Sequence, residues 1–166
     1  MATTAGAFGT CTLDDASSTQ SIPDSSWTEV NFRPNEGSYA GGVIPSGDEI
    51  SGWGVDDSTY MLFSIFATVT FASNATGARG IRLMWREFVE ENTWYTRCVA
   101  CLLIPNPAYG NNFPISISAA VPLNTTTDYV YVDVYQASGG ALNIIRGDTE
   151  NFTQFTVIAS ALSGYA

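Results

Sequence analysis

Residues 61–71, MLFSIFATVTF, alternate strictly. Met61, Phe63, Ile65, Ala67, Val69 and Phe71 fall on one side of an extended chain, and Leu62, Ser64, Phe66, Thr68 and Thr70 on the other. A period of two in β-branched and aromatic residues predicts a strand with one buried face. Ser73-Asn74-Ala75-Thr76-Gly77 reads as a turn, because Asn and Gly tolerate the backbone angles that turns require. Beyond it Ile81, Leu83 and Trp85 alternate with Arg82, Met84 and Arg86. Together the two halves predict a long antiparallel hairpin with one apolar face, which the rest of the chain must cover or extend.

The same reading runs along the chain. Residues 1–20 are small and polar, broken by Phe8 and Leu13, and are expected to be an arm outside the domain, either frayed or docked on a partner. Residues 21–32 predict a Pro-led strand with Trp27 and Val30 in the core. Residues 33–57, rich in Gly, Pro, Ser and Asp, predict a long excursion with short strands near 42–44 and 50–53. The acidic stretch 87–92 predicts a solvated loop, and Thr93–Ile104 a strand. After a loop at 105–112 the alternation resumes at 113–121, then turns at 124–128. Tyr129–Gln136, YVYVDVYQ, is the clearest alternation of all, with Val130, Val132 and Val134 against Tyr129, Tyr131, Asp133 and Tyr135. Ala137-Ser138-Gly139-Gly140 predicts a hairpin turn into 141–145. A loop at 146–150 and a last strand at 152–162 close the chain. No amphipathic helix is predicted, and eight or more strands with closely spaced turns imply an all-β sandwich or barrel.

Composition narrows the chemistry. A chain of 166 residues is long enough for one domain with a sizeable core. Only 13% of residues are charged, which favours burying surface in an oligomer. The net charge of -10 opposes binding to a nucleic-acid backbone. All six basic residues are Arg, and the absence of His removes the commonest general base and a common metal ligand. Residues 1–15 lack the basic start and apolar core of a secretion signal, and no apolar run is long enough to cross a membrane as a helix. Asn74, Asn124 and Asn151 head glycosylation sequons, which read as chance matches in a Thr-rich chain.

The later strands carry a resemblance. Asp128, the Val130, Val132 and Val134 alternation, Gly139-Gly140 and Phe155-Thr156-Val157-Ile158-Ala159 resemble the closing strands of the tumour-necrosis-factor-like jelly roll, the superfamily of the complement globular heads. Upstream, TVTFASNATGARGIRL resembles the phage and bacterial branch, in which a VTF strand, an Asn/Gly turn and an Arg-apolar-Arg strand follow one another. The resemblance covers about residues 21–162 and implies a jelly-roll β-sandwich that assembles as a homotrimer. For the phage branch it implies a virion part. The leading expectation is therefore a non-enzymatic decoration protein on the outer capsid surface of a phage, binding the major capsid protein. The alternative is a receptor-binding fibre tip that recognises a host surface glycan or protein.

Candidate residues follow from both readings. Tyr129, Tyr131 and Tyr135 form an aromatic row opposite the core valines. The resemblance places such a strand near the three-fold axis, with Gln154 beside it; Asp133 in that row then needs an Arg partner, a solvated edge or a cation. Phe8 and Leu13 of the arm are the expected capsid or partner contacts. Cys98-Val-Ala-Cys101 has the spacing of metal and redox motifs, but residues three apart on a regular strand face opposite sides. Both are therefore expected to be buried free thiols, and Cys11 a free thiol of the arm. Arg79, Arg82, Arg86 and Arg97 hold four of the six cations and are read either as ion pairs within the chain, with Glu87 or Glu90, or as a grip on a neighbour's carboxylates or an anionic glycan. Asp14-Asp15 and Asp56-Asp57 are weak glycosidase candidates, and Asp48 with Glu49 a weak Ca²⁺ candidate without EF-hand spacing. No cofactor, metal, nucleic acid or membrane partner is predicted.

Overall fold

The alternating segment at 61–71 is a strand throughout, and it is the most heavily paired strand of the fold. Thirteen strands are described: β1 (Ala7–Leu13), β2 (Thr19–Ile22), β3 (Ser26–Glu29), β4 (Phe32–Ala40), β5 (Val43–Ser46), β6 (Gly52–Val55), β7 (Met61–Phe71), β8 (Arg79–Glu90), β9 (Thr93–Ile104), β10 (Phe113–Leu123), β11 (Tyr129–Gln136), β12 (Leu142–Ile145) and β13 (Gln154–Ala161). The structure is a computed structural model that describes residues 7–13, 19–40, 43–46, 52–55, 61–90, 93–105, 111–123, 128–146 and 153–161; for 7–8, 33–40, 43–46, 52–55, 61 and 159–161 only the backbone is described.

Two antiparallel sheets face each other. In the first, β7 pairs with β10 along one edge, and with β13 and then β12 along the other. β13 leads on to β1 and β4, and β12 to β2. In the second, β8 lies between β9 and β11, and the far edge of β11 carries β6 and then β3, with β5 outside β6. Inward residues of both sheets make one core. Phe63, Ile65, Val69 and Phe71 of β7 meet Ile81 and Leu83 of β8 and Val130, Val132 and Val134 of β11, all fully buried. The alternation read from the sequence thus marks which face points inward on each long strand.

Two predicted hairpins are instead crossings between sheets. β7 belongs to the first sheet and β8 to the second, and they share no pairing. β11 and β12 are separated in the same way, so 137–140 is also a crossing. Both strands of each pair have an apolar face, and those faces are better buried against each other across the sandwich than side by side in one sheet. β8 and β9 do form a hairpin, which runs through the predicted acidic loop as far as Glu90, and β5 pairs antiparallel with β6. The predicted 21–32 strand is split among β2, β3 and the start of β4, in different sheets. The 33–57 excursion holds most of β4, with β5 and β6.

The expected 1–20 arm is corrected where it is described; 1–6 and 14–18 lie outside the described residues. Residues 7–13 form β1, inserted between β13 and β4, with Cys11 and Leu13 in the core. Small residues such as Gly9, Thr10 and Thr12 suit a strand packed on both edges, which composition alone reads as a loose tail.

Both crossings sit at one end of the sandwich and are tied together. Arg79 and Gln136 are register partners on β8 and β11, and both are buried. The Arg79 guanidinium donates to the carbonyls of Asn74 (3.1 Å), Thr76 (2.9 Å) and Ala78 (2.9 Å), all within the first crossing. Gln136 donates to the carbonyls of Ile22 (3.0 Å) and Gly140 (2.8 Å) and accepts from the Ser138 N–H (2.8 Å), so it holds the second. The Ala137 N–H donates to the Ala78 carbonyl at 3.0 Å and joins the two. At Gly77, φ is +73°, and a Cβ there would lie 1.5 Å from the Ala137 carbonyl oxygen.

Gly77→Ala therefore meets a backbone clash and a left-handed φ, and should lower stability by more than about 2 kcal/mol in urea unfolding. Gly139 also has a positive φ of +86°, but a Cβ there meets nothing within 4 Å. Gly139→Ala should cost only the conformational strain, ~1 kcal/mol. Equal losses would show that the contact between crossings carries no weight. Leu13→Ala should cost about 2–5 kcal/mol, as for a core leucine; no change in the unfolding midpoint would restore the separable arm.

Candidate interaction surfaces

The functional candidates lie on the outward faces of the two sheets. These faces differ in chemistry, and the difference follows from the residues that alternate with the core.

The outer face of the second sheet is built from aromatic rings and guanidinium groups. Arg82 of β8 stands opposite Asp133 of β11 and donates to one carboxylate oxygen from Nε (2.9 Å) and Nη2 (2.6 Å). Its guanidinium also lies over the Trp27 ring, 4.4 Å from the centroid, and Trp27 packs on Tyr135 at 5.4 Å. Four residues along, Arg86 donates to the Tyr129 hydroxyl at 2.7 Å and stacks on Trp94 at 4.6 Å. Tyr129 in turn packs against Tyr131 at 5.8 Å. Guanidinium groups favour such stacking because they are planar and weakly hydrated. Arg97 pairs with Glu87 at 2.7 Å near the edge.

The predicted cations are thus engaged within the chain. Arg79 is interior, and burial pushes its pKa below the usual arginine range. The Asp133 carboxylate has found the Arg partner its row required. Trp27, expected in the core, is half-buried on this outer face. The sequence shows Trp27 and Val30 three apart, and it is Val30 that reaches the core.

The two strand cysteines correct their prediction. Leu83 pairs with Ala100 but Met84 pairs with Cys98, so a β-bulge at Val99 interrupts the alternation of β9. Val99 and Ala100 both pack against the core. Cys98 and Cys101 consequently share the outer face, and both are exposed. The Cys98 thiol donates to the Ala100 carbonyl at 3.3 Å. Partial burial and the neighbouring Cys101 push its pKa up, while Arg82 draws it down. Cys11 is a core residue whose thiol donates to the Phe155 carbonyl at 3.4 Å.

On the outer face of the first sheet β1, β2, β7, β10, β12 and β13 carry no charged residue; β4, at the far edge, carries Arg33 and Glu36, whose side chains lie outside the described residues. Leu62, Phe66 and Ile158 are 37%, 50% and 46% exposed. Around them stand Ser64, Thr68, Ser116, Ser118, Ala120, Thr10, Thr156 and Gln154. A shallow groove runs between β7 and β10, lined by Phe66, Thr68, Ser116 and Ser118. Hydroxyls pair across the strands, Thr10 with Thr156 at 3.1 Å and Thr68 with Ser116 at 2.8 Å, and so leave few unmet polar groups at the surface.

The predicted site residues divide between these faces. Tyr129, Tyr131 and Tyr135 are half-buried on the second sheet, covered by rings and guanidiniums of their own chain, whereas Gln154 is on the first. The four do not share a surface. Leu13 is 1% exposed and cannot be a partner contact. Phe8 lies in β1 in register with Ile158, and its side chain is outside the described residues, as are Asp14-Asp15, Asp48-Glu49 and Asp56-Asp57. The exposed Leu62, Phe66 and Ile158 went unread in the sequence. Their signal was a large apolar residue in the polar phase of an alternating strand.

Comparison by sequence finds no matching family model and no matching curated protein. Comparison by structure finds Eiger TNF from S. frugiperda, with a TM-score of 0.67 at 6% identity over 96% of each chain. It also finds murine APRIL, with a TM-score of 0.62 at 12% identity in the pH 5.0 crystal structure, over 94% of this chain and 100% of that one. At pH 8.0 APRIL gives 0.62 at 14% identity over the same shares. The fold is therefore a TNF-like jelly-roll sandwich.

Burial, with Asp133 and Glu29 nearby, pushes the Tyr131 pKa above that of a free phenol. A raised folded pKa means that the neutral phenol stabilises the fold. That contribution is complete below the unfolded value of about 10 and is lost as pH rises through the folded one. Ultraviolet difference titration should show a late-ionising tyrosine that is missing in Tyr131→Phe; an unchanged late phase in that variant would contradict the assignment.

Proposed function

We propose that the protein is a non-catalytic structural module that forms a homotrimer through the β7, β10 and β13 part of the outer face of the first sheet and decorates the outer surface of a phage capsid. The observation that carries the trimer is the exposed Leu62, Phe66 and Ile158 cluster on β7 and β13, which with their neighbour β10 carry no charged residue. Exposed apolar patches ringed by small polar groups mark association surfaces. Three chains of net charge -10 can meet over β7, β10 and β13 without placing like charges across the contact. A trimer is also what the jelly-roll resemblance implies. The capsid role rests on the phage-branch resemblance of the 68–83 segment. In that role the trimer turns its aromatic and guanidinium face outward, toward the capsid or solvent.

One observation favours a second reading, a receptor-binding tip. Trp27, Tyr135, Tyr129 and Trp94 are half-buried rings packed beside Arg82 and Arg86 on the outer face, a surface chemistry suited to a glycan or an acidic peptide.

Light scattering should give a trimer at micromolar concentration. Phe66→Asp and Ile158→Asp should each give folded monomers, because truncating or charging a buried interface residue costs about 2 kcal/mol or more. Tyr131→Ala should leave the trimer intact. A monomeric wild type, or a trimer lost in Tyr131→Ala but kept in Phe66→Asp, would overturn this interface. Copies of the chain per purified virion separate the two roles: numbers comparable to the capsid subunits support decoration, and a few copies support the tip.

A further inference from the structure

We propose that Met84, Cys98 and Cys101 form a surface site for a soft, low-coordinate monovalent metal ion, Cu(I), bound by two thiolates and one thioether. The bulge at Val99 builds the site. A regular strand would send Cys98 and Cys101 to opposite faces, and the extra residue brings both to the outside. Cys98 stands directly across from Met84, and Cys101 across from Arg82. Both thiols are exposed and neighbour one another on that face. Met84 belongs to the outer row of β8, between Arg82 and Arg86, with Tyr131 and Cys98 as cross-strand partners. It is only 7% exposed, so its neighbours on that face cover it.

The donor set selects the ion. Thiolate and thioether sulfurs favour Cu(I), whereas Ca²⁺ and Mg²⁺ take oxygen ligands. A structural zinc site needs four donors. Among the described residues no three His, Cys, Asp or Glu side chains converge, and the chain contains no His. A disulfide fits less well. Three residues of strand advance roughly 10 Å at ~3.3 Å each, a bulge recovers only part of that, and a disulfide holds its Cα atoms within ~7 Å. An ion between the sulfurs relaxes that limit. Binding exchanges the two thiol protons for one Cu(I), with no change in oxidation state, and leaves the site with one net negative charge. Arg82, across from Cys101 and already paired with Asp133, offsets part of that charge.

The test is anaerobic competition of the full chain against bathocuproine disulfonate for Cu(I), with X-ray absorption of the loaded protein. One Cu(I) per chain with an all-sulfur shell is expected. Cys98→Ser and Cys101→Ser should each weaken binding at least ~100-fold, beyond what loss of an outer-shell partner costs. Met84→Leu should weaken it about tenfold and reduce the sulfur count from three to two. Cys11→Ser should leave it unchanged, because Cys11 lies in the core. Alkylating the exposed thiols of the native wild type should abolish binding without any substitution, which guards against a variant that fails to fold. Cu(I) retained by the Cys98/Cys101 double variant or by the alkylated protein would overturn the site. So would affinity no better than that of glutathione at equal thiol concentration.

Discussion

The sandwich depends on how the chain changes sheets at the end where Arg79 and Gln136 lie. Residues 72–78 and 137–141 both leave one sheet for the other there, and each exposes carbonyls that no strand can satisfy. Buried polar groups without partners are costly, so a crossing at a sandwich end needs interior donors. Arg79 supplies them to the first crossing and Gln136 to the second, from adjacent positions on β8 and β11. A buried guanidinium is expensive to desolvate, and the depression of the Arg79 pKa records that cost. Three carbonyls and the Phe71 ring 5.9 Å away replace the lost water. Gly77 completes the arrangement, because only a residue without Cβ lets the first crossing lie against Ala137.

Once the crossings are set, the two outer faces follow from alternation. The valines of β11 face in, so Tyr129, Tyr131, Asp133 and Tyr135 face out, opposite Arg86, Met84, Arg82 and Gly80 of β8. Aromatic and guanidinium groups therefore meet in rows across the strands and satisfy one another, which leaves the second sheet a polar, interlocked surface. On β7, β10 and β13 of the first sheet the outward positions are hydroxyls, amide, alanine and a few large apolar residues, with nothing charged among them. Burial by another copy is a physical answer to the second kind of surface and not to the first. The low charged share of the chain is thus unevenly spread, and β7, β10 and β13 carry none of it.

The bulge at Val99 shows how one irregularity redirects chemistry. Sequence spacing places Cys98 and Cys101 out of phase, and that inference is sound for an unbroken strand. One unpaired residue restores the phase, turns both thiols outward and leaves Val99 and Ala100 on the core. Nothing in TWYTRCVACLLI marks that residue in advance, since the bulge answers to the pairing with β8 as a whole.

What the sequence determined by itself was local. Alternation placed the long strands from residue 61 onward, assigned their inward faces down to Phe63, Ile65, Val132 and Val134, and excluded His-based catalysis. The closing-strand pattern of Asp128 to Ala159 identified the jelly roll. These succeed because a period of two is a property of neighbouring residues. What only the tertiary structure decided was pairing and partnership. Whether 61–71 and 79–90 lie side by side or face each other, whether residues 7–13 hang free or fill a gap between β13 and β4, and whether a tyrosine row needs a second chain or is met by Arg86 and Trp27 all depend on residues far away in the chain. An apolar face states that it must be buried, but which surface buries it is settled only when the two sheets close on each other.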